Sequence, residues 1–138
     1  MDTSIERVLL RKNILQDARY IQEKKENLIK GEWNMDFLVQ KGDVLFVKLP
    51  EEIDHYKTKM MVKEIDEVIL SKEPSKVVFD FERTRFMDSS GIGLISGRYQ
   101  KMMSLGGDVF LYNAKGHMDK ILRMSGLSKI IGKYEETT

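Results

Sequence analysis

The run Val77-Val78-Phe79-Asp80-Phe81 constrains this chain more than any other stretch. A strand with one wet face alternates apolar and polar residues. A nearly continuous apolar run is instead the mark of a central strand covered on both faces. Such a strand implies a sheet sandwiched between other elements, and the flanking sequence supplies them.

Upstream, Phe37-Leu38-Val39 and Val44-Leu45-Phe46-Val47-Lys48-Leu49 read as two strands of a hairpin around Gln40-Lys41-Gly42-Asp43. Pro50 ends the second. Asp54 is a candidate N-cap for a helix whose buried face is marked by Met61, Ile65, Val68 and Ile69, and Glu73-Pro74-Ser75 breaks that helix. Downstream of the central strand, a helix is expected from Ser89 to about Ser104, carrying Ile92, Ile95, Tyr99, Met102 and Met103. Leu105-Gly106-Gly107 closes it. Val109-Phe110-Leu111-Tyr112 reads as a strand, Gly116 to about Met124 as a short helix ended by Ser125-Gly126-Leu127, and Ile130-Ile131 as a last short strand. Met102-Met103 and Met60-Met61 are expected to fill the core. Strand and helix alternating after an opening hairpin specify an α/β fold with right-handed crossovers.

Bulk properties narrow the function. With 138 residues the chain suits one domain. Its formal net charge is +1, and Lys and Arg are spread without a long basic run, which argues against nucleic acid as the main partner. There is no Cys, and His55 and His117 do not sit at a metal-ligand spacing. No cofactor or metal is implied. No apolar run is long enough to span a bilayer and no signal-peptide core is visible, so the expected location is the cytoplasm. Paired carboxylates and a nucleophile–base pair are both missing, so the reading is of a protein that is not an enzyme.

The stretch that carries chemistry is Phe86-Met87-Asp88-Ser89-Ser90-Gly91-Ile92-Gly93. It follows the buried strand and opens a helix. Asp88 can cap that helix, which leaves Ser89 and Ser90 in the first turn, among unpaired N–H groups at the positive end of the helix dipole. Gly91 and Gly93 lack Cβ and permit close approach to the sheet or to a partner. This setting suits a hydroxyl that accepts a phosphoryl group worth about −1.5 to −2 charges. Taken alone, Asp-Ser-Ser-Gly is also an ordinary N-cap. It is neither a P-loop nor a nucleophile elbow.

Residues 86–100 as a whole closely resemble the signature of the anti-sigma factor antagonists of the STAS family, most nearly the sporulation, SpoIIAA-like type. Gly106-Gly107-Asp108-Val109, Met124-Ser125-Gly126-Leu127 with Ile130-Ile131, and Glu52-Ile53-Asp54-His55 match further landmarks in order, from Met35 nearly to the C-terminus. The resemblance implies a STAS fold, a mixed and mostly parallel sheet with helices largely on one side. It implies that the phosphorylated serine is the one after the Asp, Ser89. Its partners would be an anti-sigma factor that is also a serine kinase using ATP, and a serine phosphatase that restores the free hydroxyl. The unphosphorylated antagonist would bind the kinase and release the sigma factor, thereby activating transcription. Asp54, Asp88, Ser89, Ser90 and Gly91 would form the binding surface. A ligand-sensing or scaffolding STAS module of a stressosome-like assembly is the alternative, disfavoured because such modules usually carry a substantial sensor domain.

The departure from the family lies in residues 1–34, ahead of a STAS domain over 35–138. Residues 3–30 read as a helix with a broken apolar stripe (Ile5, Val8, Leu9, Ile14, Leu15, Ala18, Ile21, Leu28), ended at Gly31. Lys30-Gly31-Glu32 is encodable by a ribosome-binding sequence, which makes Met35 an alternative start. If the helix belongs to the native protein, docking on the sheet, tethering and dimerisation are its possible uses; a monomer is otherwise expected. Trp33 could anchor it.

Overall fold

The computed structural model describes residues 37–136. The expectations for the helix over residues 3–30, for Trp33 and for a start at Met35 lie outside them. The elements run β1 (Leu38–Lys41), β2 (Val44–Lys48), β3 (Glu52–Ile53), α1 (His55–Lys72), β4 (Lys76–Asp80), β5 (Phe86–Met87), α2 (Ser89–Ser104), β6 (Asp108–Tyr112), α3 (His117–Ser125), α4 (Leu127–Ile130) and β7 (Gly132–Lys133).

Five strands form the main sheet in the order β1-β2-β4-β6-β7. Only β1 and β2 are antiparallel; the remaining pairs are parallel. The hairpin turns on Gly42 and Asp43, tighter than the four-residue turn expected, with Lys41 pairing Val44. Gly42 takes φ +59° there, the left-handed backbone that a two-residue hairpin demands. β4 is the interior strand foreseen from its composition, with Val77, Val78 and Phe79 wholly buried. Its last residue, Asp80, is buried too; its carboxylate accepts from the Glu82 backbone N–H at 2.9 Å and from Asn113 Nδ2 at 3.0 Å.

Strands β2, β4, β6 and β7 succeed one another in a single direction across the sheet. Parallel crossovers are right-handed, so every connecting helix falls on the same face. The core confirms this arrangement. Leu45, Val47, Val77, Phe79, Val109 and Leu111 meet Met61, Ile65 and Ile69 of α1, Leu94, Ile95 and Met102 of α2, and Leu122 of α3 in one cluster. Asp66 of α1 ties to Arg98 (2.9 Å) and Lys101 (3.5 Å) of α2. The close Arg98 contact is an ion pair rather than an aligned hydrogen bond, because neither atom finds hydrogen-bond geometry.

The N-terminal ends of the strands are knitted together. Asp43 in the hairpin turn accepts the Ser75 N–H on its carbonyl (2.9 Å) and its carboxylate (3.1 Å), and the Ser75 carbonyl accepts the Asp108 N–H at 3.0 Å. A Cβ on Gly107 would stand 2.9 Å from that same Ser75 carbonyl oxygen.

Two expectations are corrected. Ile130-Ile131 is not a strand: Ile130 ends α4, Ile131 follows it into the core, and the strand is Gly132–Lys133. An apolar pair this short carries no period that separates helix from strand. Met103 does not fill the core but is half exposed at 50%, since one residue beyond buried Met102 the helix has turned by about 100°. Met61 and Met102 are buried as expected. Strands β3 and β5 and helix α4 were not anticipated; the first two pair with each other in a separate ribbon.

Candidate functional site

Each of the first two crossovers detours through a short strand before its helix. After β2 the chain passes through β3, and Asp54 then caps α1. After β4 it passes through β5, and Asp88 then caps α2. The detours pair in parallel, with Glu52 opposite Phe86 and Ile53 opposite Met87. The Arg85 and Phe86 N–H groups donate to the Glu51 carbonyl (2.8 and 3.2 Å), and the Asp88 N–H donates to the Ile53 carbonyl at 3.1 Å. Thr84, buried, braces the entrance by donating its hydroxyl to the Pro50 carbonyl at 2.9 Å. This register carries Asp54 and Asp88 to neighbouring positions one residue past paired strands. Two aspartate-capped helix N-termini therefore stand side by side, beyond the C-terminal ends of β2 and β4 where loops of parallel sheets gather. Asp54 and Ser89 share this end of the domain despite their separation in sequence.

The two caps differ. The Asp54 carboxylate accepts the Lys57 N–H at 2.8 Å. The Asp88 carboxylate accepts the Ser90 N–H at 2.9 Å, and the same oxygen also accepts the Ser90 hydroxyl. The serines are thus separated in role by one aspartate. The Ser90 hydroxyl is occupied and half-buried. Ser89, the first residue of α2, is exposed, and its hydroxyl makes no hydrogen bond among the described residues.

The hydrogen bonds from Ser90 hold the Asp88 carboxyl below the usual carboxylate range, aided by its backbone contacts at Ser90 and Gly91 and by the charge of His55; partial burial opposes them. A depressed pKa contributes stability that is complete above the ordinary carboxylate value and is lost as pH falls through the lowered one. Ser90→Ala removes the largest cause, so the Asp88 pKa should rise towards the ordinary value, read by carboxyl NMR titration; an unmoved titration would show that the hydroxyl is not what holds it.

Gly91 is buried in the first turn. A Cβ there would meet the Met87 side chain and, at 3.2 Å, Ile53 Cγ2. Its close approach is thus to the paired ribbon beneath the site. At Gly93 a Cβ would meet nothing within 4 Å, so no tight approach to the sheet occurs there. Around the site, His55 opens α1 in solvent, and Arg85 is 83% exposed and only 3.8 Å from Glu51. Tyr56 (61%) and Phe86 (51%) flank the two caps as exposed aromatic side chains that the motif did not single out. Their signal in the sequence was position alone: each lies within two residues of a capping aspartate. Among the described residues no group of three or more His, Cys, Asp or Glu could hold a metal ion, and no helix is long and apolar enough to cross a membrane.

Comparison with known proteins gives a consistent result. The STAS domain model matches residues 38–138. The anti-sigma F factor antagonist of Paenibacillus polymyxa is 36% identical over 92 residues, 67% of this chain and 79% of that protein. Among solved structures, the anti-sigma factor antagonist SpoIIAA in its unphosphorylated form is 28% identical, with a TM-score of 0.64 over 72% of this chain and 87% of that one. The Bacillus cell fate determinant SpoIIAA in its phosphorylated form is 29% identical, with a TM-score of 0.59 over 72% and 90%.

Proposed function

The chain belongs to the STAS domain family, and from that premise we propose that it is an anti-sigma factor antagonist switched by phosphorylation of Ser89. Its unphosphorylated form binds a cytoplasmic anti-sigma factor that is also a serine kinase, and so frees the sigma factor. The kinase transfers the γ-phosphoryl group of ATP to the Ser89 oxygen; the hydroxyl proton is lost and ADP leaves. Binding then ends, and a serine phosphatase hydrolyses the ester to reset the switch. Ser89 is here a substrate, and the chain itself catalyses nothing.

The observation that carries this reading is the division of labour at Asp88. One serine hydroxyl is consumed by the cap and the other stands exposed at the first position of a long helix. A phosphate there would stand at the positive end of the helix dipole, which tolerates negative charge. It would also stand beside the Asp88 carboxylate, and it would change the charge of the surface that Asp54, Asp88, Ser89 and Ser90 present, with Gly91 setting the depth of the helix behind it. The switch would then be an event at the contact surface. In keeping with this, SpoIIAA has been solved in both states, and this chain superposes on each.

Incubation with ATP and the cognate anti-sigma kinase should add one phosphate, mapped by peptide mass spectrometry to Ser89. Phosphate on Ser90, or none on either serine while the kinase phosphorylates its known antagonist, would sink the assignment.

A further inference from the structure

A cavity of about 330 Å³ opens at the carboxyl ends of β6 and β7 and shares no residue with the surface given to Asp54, Asp88, Ser89, Ser90 and Gly91. Leu111, Leu122 and Ile131 make its apolar floor, and the loop after β6, residues 113–115, forms one wall. That wall has a fixed shape. Asn113 turns the chain in left-handed backbone at φ +60° and donates its side-chain amide to Asp80 at 3.0 Å. Asn is one of the few residues that accept this conformation. Across the opening, Lys133 pairs with Leu111 in the sheet, so its side chain leaves the sheet on the same, helix-covered face. Lys115 and Lys133 both line the cavity, and neither makes an ion pair among the described residues. Two carboxylates line it as well: Asp119, which Arg123 holds at 3.1 Å, and Glu135, which is exposed. Small-molecule sites are clefts of roughly 300–1,000 Å³, mostly apolar with a few polar groups, and parallel sheets gather them beyond the carboxyl ends of the strands.

We propose that this cavity binds a small carboxylic acid with an apolar body. The body lies over Leu111, Leu122 and Ile131, and the carboxylate is held by the ammonium groups of Lys115 and Lys133. Charge complementarity selects the acid. Arg123 already neutralises Asp119, so two free lysines face one free carboxylate, that of Glu135. An amine with the same body would be repelled by the lysines. An alcohol would gain only a neutral hydrogen bond, and a charge-assisted bond is roughly twice as strong. The apolar floor excludes the opposite simplification, a bare anion, because a ligand without a body would leave Leu111, Leu122 and Ile131 uncovered. The proposal is independent of the role given to Ser89: the acid binds here whether or not Ser89 is phosphorylated.

The test is an amide NMR titration of the full chain with sodium octanoate, octanol and octylamine, three probes with one body and different heads. Octanoate should give saturable shifts centred on Asn113, Ala114, Lys115 and Lys133, and should bind at least about tenfold more tightly than octanol, as a charge-assisted head group requires. Octylamine should bind more weakly than octanol. Lys115→Gln and Lys133→Gln replace exposed side chains and should leave the fold intact. Each should weaken octanoate severalfold and leave octanol unchanged, a split that a merely structural role would not produce. Three results would overturn the proposal. The first is no saturation with octanoate. The second is octanol binding as tightly as octanoate, or octanoate indifferent to both lysine variants. The third is shifts centred on Glu82 and Thr84, which line a separate cavity of about 210 Å³ on the other side of the same loop.

Discussion

Ser89→Asp should weaken binding to the anti-sigma kinase by at least about tenfold, while Ser89→Ala should bind like the unphosphorylated protein and remain permanently active. The asymmetry follows from the site. Alanine removes only the acceptor oxygen from an exposed position that makes no hydrogen bond among the described residues, so the contact surface is barely altered. Aspartate puts a second carboxylate beside Asp88, on a surface that must be desolvated on binding. An unpaired charge at an interface costs roughly 2–5 kcal/mol, and each 1.4 kcal/mol is about a factor of ten. The variant should nevertheless melt like the wild type, because a helix N-terminus accepts negative charge. Calorimetric affinities and heat-denaturation curves of the three proteins separate the possibilities. Equal affinities for the Asp and Ala variants would remove Ser89 from the switch, and unfolding of the Asp variant would make the switch conformational.

The largest effect on stability is expected at Phe79. Its side chain is fully buried in the middle of the interior strand, where it faces α1 and α2 in the core. Phe79→Ala removes that ring and leaves a cavity that a sheet cannot collapse to fill, at a cost of about 3–5 kcal/mol. Domains of this size are stable by only about 5–15 kcal/mol, so the variant should lose a large share of its stability, a fall of tens of degrees in Tm by the usual conversion. Urea titration followed by circular dichroism reads it directly. A loss below about 1 kcal/mol would mean that the packing around β4 is looser than a native core.

These two positions also show where the sequence was informative. Phe79 sits in a run whose composition alone demands an interior strand, and Met61, Ile65 and Ile69 declare a helix through their spacing. Asp88-Ser89-Ser90-Gly91 was legible because a cap is a local device, written in adjacent residues. What escaped was whatever depends on pairing between distant segments. Glu52–Ile53 and Phe86–Met87 are too short to carry a period, yet their register is what brings Asp54 beside Asp88. The different fates of Ser89 and Ser90 were equally hidden, since both lie in the first turn and only the side-chain geometry of Asp88 decides between them. Gly91 and Gly93 look alike in the motif, and only packing against Met87 and Ile53 tells them apart.

The clamp formed by Asp43, Ser75 and Gly107 fixes strand alignment at the edge of the sheet remote from Ser89. On the proposed function, alignment and recognition fall to different sets of residues at opposite ends of the same strands. If the caps form the proposed contact surface, rewriting their exposed neighbours, such as Tyr56, Arg85 and Phe86, should change partner choice without disturbing how the strands find their partners. The converse substitutions, at the clamp, should alter folding while leaving partner choice untouched. Such a domain is a modular part: its frame and its address can be edited separately.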